Sequence, residues 1–308
     1  MFTLFSLDGP AFGRDGGRVA LLNLLLSMLL SIAPALVPGS SPATEPPPGA
    51  IDIPLDEERS RSELALPPVL GSRNPARPLV VIDPGHGGRD PGAISPVAGE
   101  READLVLAIG RAIRDELAAS GRVRVAMTRD DDRFLVLRDR YEIARRLGAS
   151  LFISVHADAA PLNDGARGAT IYTLSEVASD REAALLAARE NRSDLIGGVT
   201  LSRDAAVNRI LIDLAQRESM NVSADFARLL HREAAPFFAF RPDYHRFSSL
   251  IVLKAPDIPS VLFESGYLTN RGDVAFIRSP EGRQQIAAGM RRAVEAHFAR
   301  RLARSASR

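Results

Sequence analysis

Pro78-Leu-Val-Val-Ile-Asp-Pro-Gly-His-Gly-Gly88 and Ser150-Leu-Phe-Ile-Ser-Val-His-Ala-Asp158 decide how this chain is read. Each is a short apolar run that ends on a histidine, His86 in the first and His156 in the second. A continuous apolar run of this length, bounded by Pro, Gly or Ser, fits a strand buried on both faces, the habit of parallel sheets. Between them, residues 102–120 carry Leu105, Ile109, Ile113 and Leu117 at helical spacing and stop at Gly121. In open α/β sheets ligands gather beyond the carboxyl ends of strands. Both histidines therefore stand where a site forms, and Glu264, after Val261-Leu-Phe, stands at a third strand end.

Working outward, the pattern predicts strands at 79–82, 123–128, 151–156, 168–174, 249–253 and 260–263. It predicts helices at 102–120, 137–147, 207–216, 223–231 and 281–303, and a further helix starting at Ser179 or Asp180, either of which can cap it. Gly197-Gly198 breaks the stretch between. Strands alternating with helices imply an α/β fold: one catalytic domain over 78–303, with a twisted, mostly parallel or mixed sheet flanked by helices. Residues 179–216 read as an inserted helical segment, and no internal repeat is present.

The chain has 308 residues, 45% hydrophobic, with a formal net charge of +1 and no cysteine. That charge argues against a dedicated nucleic-acid binder. Without cysteine, no disulfide staples the fold and any metal site uses His, Asp or Glu. Arg14 and Arg18 precede the apolar run 19–37, and small residues and prolines follow through Ala43. This order of charge, apolar core and small residues predicts an export signal within 1–40, with an uncleaved anchor as the alternative. Residues 41–77, rich in Pro, Ser, Glu and Arg, read as a disordered linker too short for a further domain. After signal cleavage no stable membrane span is expected.

Two imidazoles and a carboxylate on rigid elements make three ligands for a zinc ion with its fourth position open. The carboxylate is Glu102 or Glu100; spacing alone does not separate them. Glu102 opens a helix, whose dipole favours its ionised form. Hydrolysis of an amide also needs a group to take a proton from water and return one to the leaving nitrogen. Glu264 is the candidate. Asp158, two residues past His156, is a candidate for orienting a histidine. His231 and His297, on helices among charges, are expected to be solvated, and His245 to be either unremarkable or a groove residue.

The segments Val81-Ile-Asp-Pro-Gly-His-Gly-Gly88, Glu102-Ala-Asp-Leu105, Ser154-Val-His-Ala-Asp158 and Pro259-Ser-Val-Leu-Phe-Glu-Ser-Gly-Tyr-Leu-Thr-Asn270 together resemble the zinc-dependent N-acetylmuramoyl-L-alanine amidases of the periplasmic cell-division type. The resemblance runs from about Pro78 to the C-terminal helix. It implies a peptidoglycan hydrolase that cuts between N-acetylmuramic acid and the L-alanine of the stem peptide, in the periplasm, during cell separation. It implies His86, Glu102 and His156 as zinc ligands, choosing Glu102 over Glu100, and Glu264 as catalytic acid/base. The segment 179–216 resembles the family's regulatory insertion, which covers the zinc until a LytM-type activator protein relieves it. Glu182 or Glu190 would then fill the open metal position. They lie a little over two helical turns apart, so one of them reaches it. Competing expectations are a catalytically silent binding or regulatory protein of the same fold, and a zinc peptidase or sugar deacetylase.

Overall fold

The computed structural model describes residues 64–160, 163, 165–196 and 209–306. The expected export signal, most of the expected linker and the Gly197-Gly198 break lie outside the described residues. Among the described residues seven strands form one sheet: β1 (Leu70–Gly71), β2 (Leu79–Pro84), β3 (Arg124–Met127), β4 (Leu151–Asp158), β5 (Ala169–Leu174), β6 (Phe240–Ser248) and β7 (Ser260–Tyr267). Their spatial order is β1-β3-β2-β4-β7-β5-β6. The central run β3-β2-β4-β7 is parallel, while β1 on β3 and β5 on β7 are antiparallel. The segment read as a linker thus ends in structure, since Leu70 and Gly71 pair with Val125 and Arg124.

Side chains alternate across the strands and split the core into two layers. Val80, Ile82, Val125, Ile153, Val155, Val261 and Phe263 face one layer. Above them lie α1 (Glu102–Ser120), α5 (Arg209–Ala234) and α7 (Pro280–Ala306). Leu79, Val81, Phe152, Tyr172, Leu174 and Leu262 face the other layer. That side is covered by α2 (Leu137–Arg146), by α3 (Arg181–Glu190) and by a 3-10 turn at Ile251–Leu253. The short α4 (Ser193–Ile196) follows α3, and α6 (Arg271–Arg278) precedes α7. Helix α1 stops where expected, on Gly121 at φ 64° with its N–H bonded to the carbonyl of Ala118. No helix among the described residues is long and apolar enough to cross a membrane.

Three sequence expectations need correction. Residues 249–253 form the 3-10 turn, and the strand is the preceding β6. Pro242 obscures β6, but β6 lies at the sheet edge, where a missing N–H removes no ladder bond. The two helices placed at 207–216 and 223–231 are one continuous α5. His297 is buried rather than solvated, with ring centroids 5.3 Å from Phe226 and 5.0 Å from Phe298, because α7 closes against α5. His231 is half-buried and stacks on Tyr244 at 3.7 Å.

Beneath the end of β2 two buried arginines hold the chain that leads to His86. Arg140 pairs with Asp83 at 3.0 Å and donates to the carbonyls of Pro84 and His86. Arg129 donates to the carbonyls of Pro84, Gly85 and Ala103. Thr128 and Ser154 hydroxyls donate to the same Asp83 carboxylate at 2.6 and 2.7 Å. Burial opposes ionisation of Asp83, but Arg140 and these two hydroxyls prevail and hold its pKa below the usual range. Replacing Arg140 by Met leaves that buried carboxylate without its counter-charge. The expected cost is about 3–5 kcal/mol in urea unfolding; a loss below about 1 kcal/mol, the scale of a surface pair, would contradict this account.

Candidate metal centre and its cover

His86 lies just beyond β2 in the left-handed region, with φ 57°, an uncommon conformation for a side chain of its size. The carbonyl clamp described above over-determines that backbone. Gly85 beside it has no room for a side chain: a Cβ there would lie 2.3 Å from Cε1 of His156. The close approach of the β2 loop to the β4 histidine therefore requires glycine. The two imidazoles meet edge to face with centroids 4.8 Å apart.

Glu102, at the start of α1, comes between them. Its Oε1 lies 3.1 Å from His86 Nε2 and 3.1 Å from His156 Nδ1. The backbone N–H groups of Ala157 and Ala93 donate to its two oxygens at 3.0 and 2.9 Å. Glu100 points elsewhere and pairs with Arg278 at 2.5 Å. Of the two glutamates in the inserted segment, Glu190 joins the cluster, with Oε2 3.3 Å from both His86 Nε2 and His156 Nδ1. Glu182 instead pairs with Arg241 and Arg246 at 2.6 and 3.2 Å.

His86, His156 and Glu190 each offer one ligand atom, all within 4.8 Å of one another, and Glu102 Oε1 lies against the same two nitrogens. Metal–ligand bonds of about 2.0–2.1 Å put neighbouring ligand atoms about 3.3–3.4 Å apart. The observed nitrogen–oxygen separations are 3.1 and 3.3 Å. His86 Nε2 is buried and has no hydrogen-bond partner although two carboxylates are close. All four residues are buried, with Glu102 at 1% and Glu190 at 3% exposure. Burial disfavours a charged imidazole, but Glu102 and Glu190 outweigh it and hold the His86 pKa well above the ordinary range. Against the same burial penalty, His86 and its neighbours hold Glu102 well below its usual range, and His86 and His156 lower Glu190. The site is thus built for positive charge.

Sequence reading missed the carboxylate that orients a histidine. Asp90, rather than Asp158, takes that place: its Oδ2 lies 2.9 Å from His86 Nδ1 and fixes which nitrogen faces the cluster. An acid four residues after a histidine in a glycine-rich turn was the available signal. Asp158 accepts instead from Arg189, the neighbour of Glu190, at 2.5 Å. Arg189 also donates to the carbonyl of Ala159 at 3.0 Å. Ser193, in α4, donates to the oxygen of Asp90 that faces His86. Asp194 accepts from the N–H of Leu137 at 2.7 Å and so caps α2. The inserted segment is fastened on both sides of the cluster.

Glu264 pairs in register with His156 on β4 and with Thr170 on β5, so the three side chains share one face. It is fully buried, and neither carboxylate oxygen has a hydrogen-bond partner. Burial first, then Asp158, Glu102 and Glu190, push its pKa well above the usual carboxylate range, with Arg189 opposing. His245 pairs with Ile171, which faces the opposite layer, and contacts Thr173 Oγ1 at 3.0 Å.

This geometry has relatives. Residues 80–296 match the model of the N-acetylmuramoyl-L-alanine amidase family. The chain is 33% identical over 251 residues to the N-acetylmuramoyl-L-alanine amidase AmiC of Escherichia coli O6:H1, covering 79% of this chain and 60% of that protein. It is 36% identical over 222 residues to AmiA of Escherichia coli K12, covering 71% of this chain and 76% of that protein. Among solved structures, the catalytic domain of CwlV from Bacillus (Paenibacillus) polymyxa superposes with a TM-score of 0.54 at 23% identity, over 72% of this chain and 98% of that one. AmiC2 of Nostoc punctiforme gives 0.51 at 25% identity, over 74% and 99%. The chain belongs to the N-acetylmuramoyl-L-alanine amidase family. It spans less than two thirds of the AmiC protein's length.

Gly85→Ala is expected to fold but to displace the His156 ring, because the added methyl group overlaps it. Divalent metal bound per chain, measured after dialysis against trace zinc, should fall from near one to near zero. An unchanged metal content would show that His156 is not held where the loop places it.

Proposed function

We propose that this protein is a zinc-dependent peptidoglycan amidase, exported to the periplasm, that cleaves the bond between N-acetylmuramic acid and the L-alanine of the stem peptide. His86, Glu102 and His156 hold the ion. The observation that carries the reading is the convergence of His86 Nε2, His156 Nδ1 and carboxylate oxygens of Glu102 and Glu190 at 3.1 and 3.3 Å, with one of those atoms otherwise unpartnered. When bound, zinc supplies Lewis acidity toward water and the amide carbonyl.

The chain's own residues do the rest. Asp90 fixes the His86 ring, and the backbone N–H groups of Ala93 and Ala157 hold the Glu102 carboxylate. Glu264 takes a proton from the attacking water and gives it to the leaving nitrogen as the carbon–nitrogen bond breaks. Burial and the neighbouring acids raise its pKa, which strengthens its hold on the proton taken from water before that proton passes to nitrogen. The products are a carboxylate on the lactyl group and a new amino terminus on L-alanine.

In the covered state Glu190 takes the position that water needs. We assign the segment 179–216 an autoinhibitory role, relieved by an activator of the LytM type. The support is the placement of a fully buried carboxylate against both histidines by a helix that other ion pairs fasten down.

Two outcomes test the reading on purified sacculi. Glu264→Gln should keep its zinc and lose turnover by about a hundredfold or more; retained turnover would remove Glu264 from the chemistry. Glu190→Ala in the intact protein should raise the release of peptides that begin with L-alanine. Equal, high activity in the unaltered protein would reject autoinhibition. Peptides cut within the stem, or released acetate, would reject the amidase assignment.

A further inference from the structure

The start of α3 rests on an unusual pair of arginines. Arg241 and Arg246, both on β6, have side chains only 12% and 5% exposed. Arg241 donates to the Tyr267 hydroxyl at 2.7 Å and to Glu182 at 2.6 Å. Arg246 pairs with Asp180 at 2.6 Å and with Glu182 at 3.2 Å, and reaches the Tyr172 hydroxyl at 3.3 Å. The sheet itself offers these guanidiniums one carboxylate, Asp243, at 3.2 Å from Arg241 and 3.6 Å from Arg246. The other two carboxylates, Asp180 and Glu182, both belong to the inserted segment. When the cover leaves, two guanidiniums face one acid, beside two tyrosine hydroxyls.

This patch adjoins the chemistry. Tyr267 lies three residues beyond Glu264 on β7 and pairs in register with Asp158. Tyr172 pairs with Leu262, one alternation from Glu264 on the same face. From Glu190 at the cluster back to Glu182 is eight residues of helix, or about 12 Å. Three residues of extended peptide span about 10–11 Å. A stem peptide whose first amide lies at the cluster therefore brings its third residue to the arginines. Beyond its L-alanine that peptide carries free carboxylates, and guanidinium forks with phenol donors suit them.

We propose that Arg241, Arg246 and Tyr267 form the subsite for the free carboxylates of the stem peptide, and that Asp180 and Glu182 occupy it as stand-ins while the cover is closed. The inserted segment then copies substrate at two places, the metal position and the peptide anchor. This rests on the amidase reading.

The test uses the full chain carrying Glu190→Ala, with two soluble substrates: a disaccharide tripeptide with free carboxylates, and the same compound with those carboxylates amidated. Arg241→Gln should raise KM for the free acid by about tenfold or more and leave kcat and the amidated substrate unchanged. Glu182→Gln should lower KM for the free acid alone. Arg241→Lys, which keeps the charge and loses the fork, should fall between and covers the case in which Gln disturbs folding. If Arg241→Gln and Glu182→Gln alter both substrates equally, the arginines only fasten the cover and the subsite is rejected. If the Glu190→Ala parent cleaves neither substrate nor sacculi, the amidase reading fails and takes the subsite with it.

Discussion

Two carboxylates and two imidazoles cannot share a dry site as neutral neighbours. Glu102 and Glu190 are buried within 3.1 and 3.3 Å of the same ring nitrogens, and such burial is tolerable only if positive charge sits among them. Either His86 carries a proton or a cation takes that proton's place. Several devices in the domain bring these groups together. The parallel pairing of β2 with β4 sets the two histidine-bearing ends side by side, Gly85 lets the loop close against the ring, and the buried arginines hold the carbonyls of that loop.

The inserted segment exploits the same electrostatics. Its carboxylates are placed wherever the sheet presents unmatched positive charge: Glu190 at the histidines, Glu182 and Asp180 at the arginines of β6. Its one cation at the cluster, Arg189, meets Asp158, where burial together with the acids Glu190 and Glu102 raises the carboxyl pKa to about 6 against the pull of Arg189. A cover built this way binds through charge complementarity with little need for a large apolar seam. Ala183, Leu186 and Ala187 supply a narrow one.

Much of this was legible in the sequence because it depends on local signals. The strands ending on His86 and His156 are short apolar runs beside Gly, and helix α1 carries both its periodicity and its glycine stop. What the sequence hid depends on distance in the fold. Strand β6 was masked by Pro242, which is tolerated only because that strand lies at the edge. The choice between Glu182 and Glu190 turns on which face of α3 meets the histidines, and helical spacing gives separation without orientation. Asp158 stands beside His156 in the chain, but its carboxylate accepts from Arg189, 31 residues away, and the carboxylate that orients a ring is Asp90 at His86. The burial of His297 was equally invisible, since only the packing of α7 on α5 makes it.

Asp194 gives the cover a reach beyond the cluster. By capping α2 it ties that helix to α4, while Ser193 ties the same short helix to the acid behind His86. In the proposed release, lifting the segment exposes a helix start to solvent as the ligand position is vacated. Because the contacts are spread along a few turns, loosening one leaves the others to pull it back. Under the proposed autoinhibition two steps separate: removing the Glu190 carboxylate opens the ligand position to water, and lifting the whole segment needs a partner that engages all of these contacts.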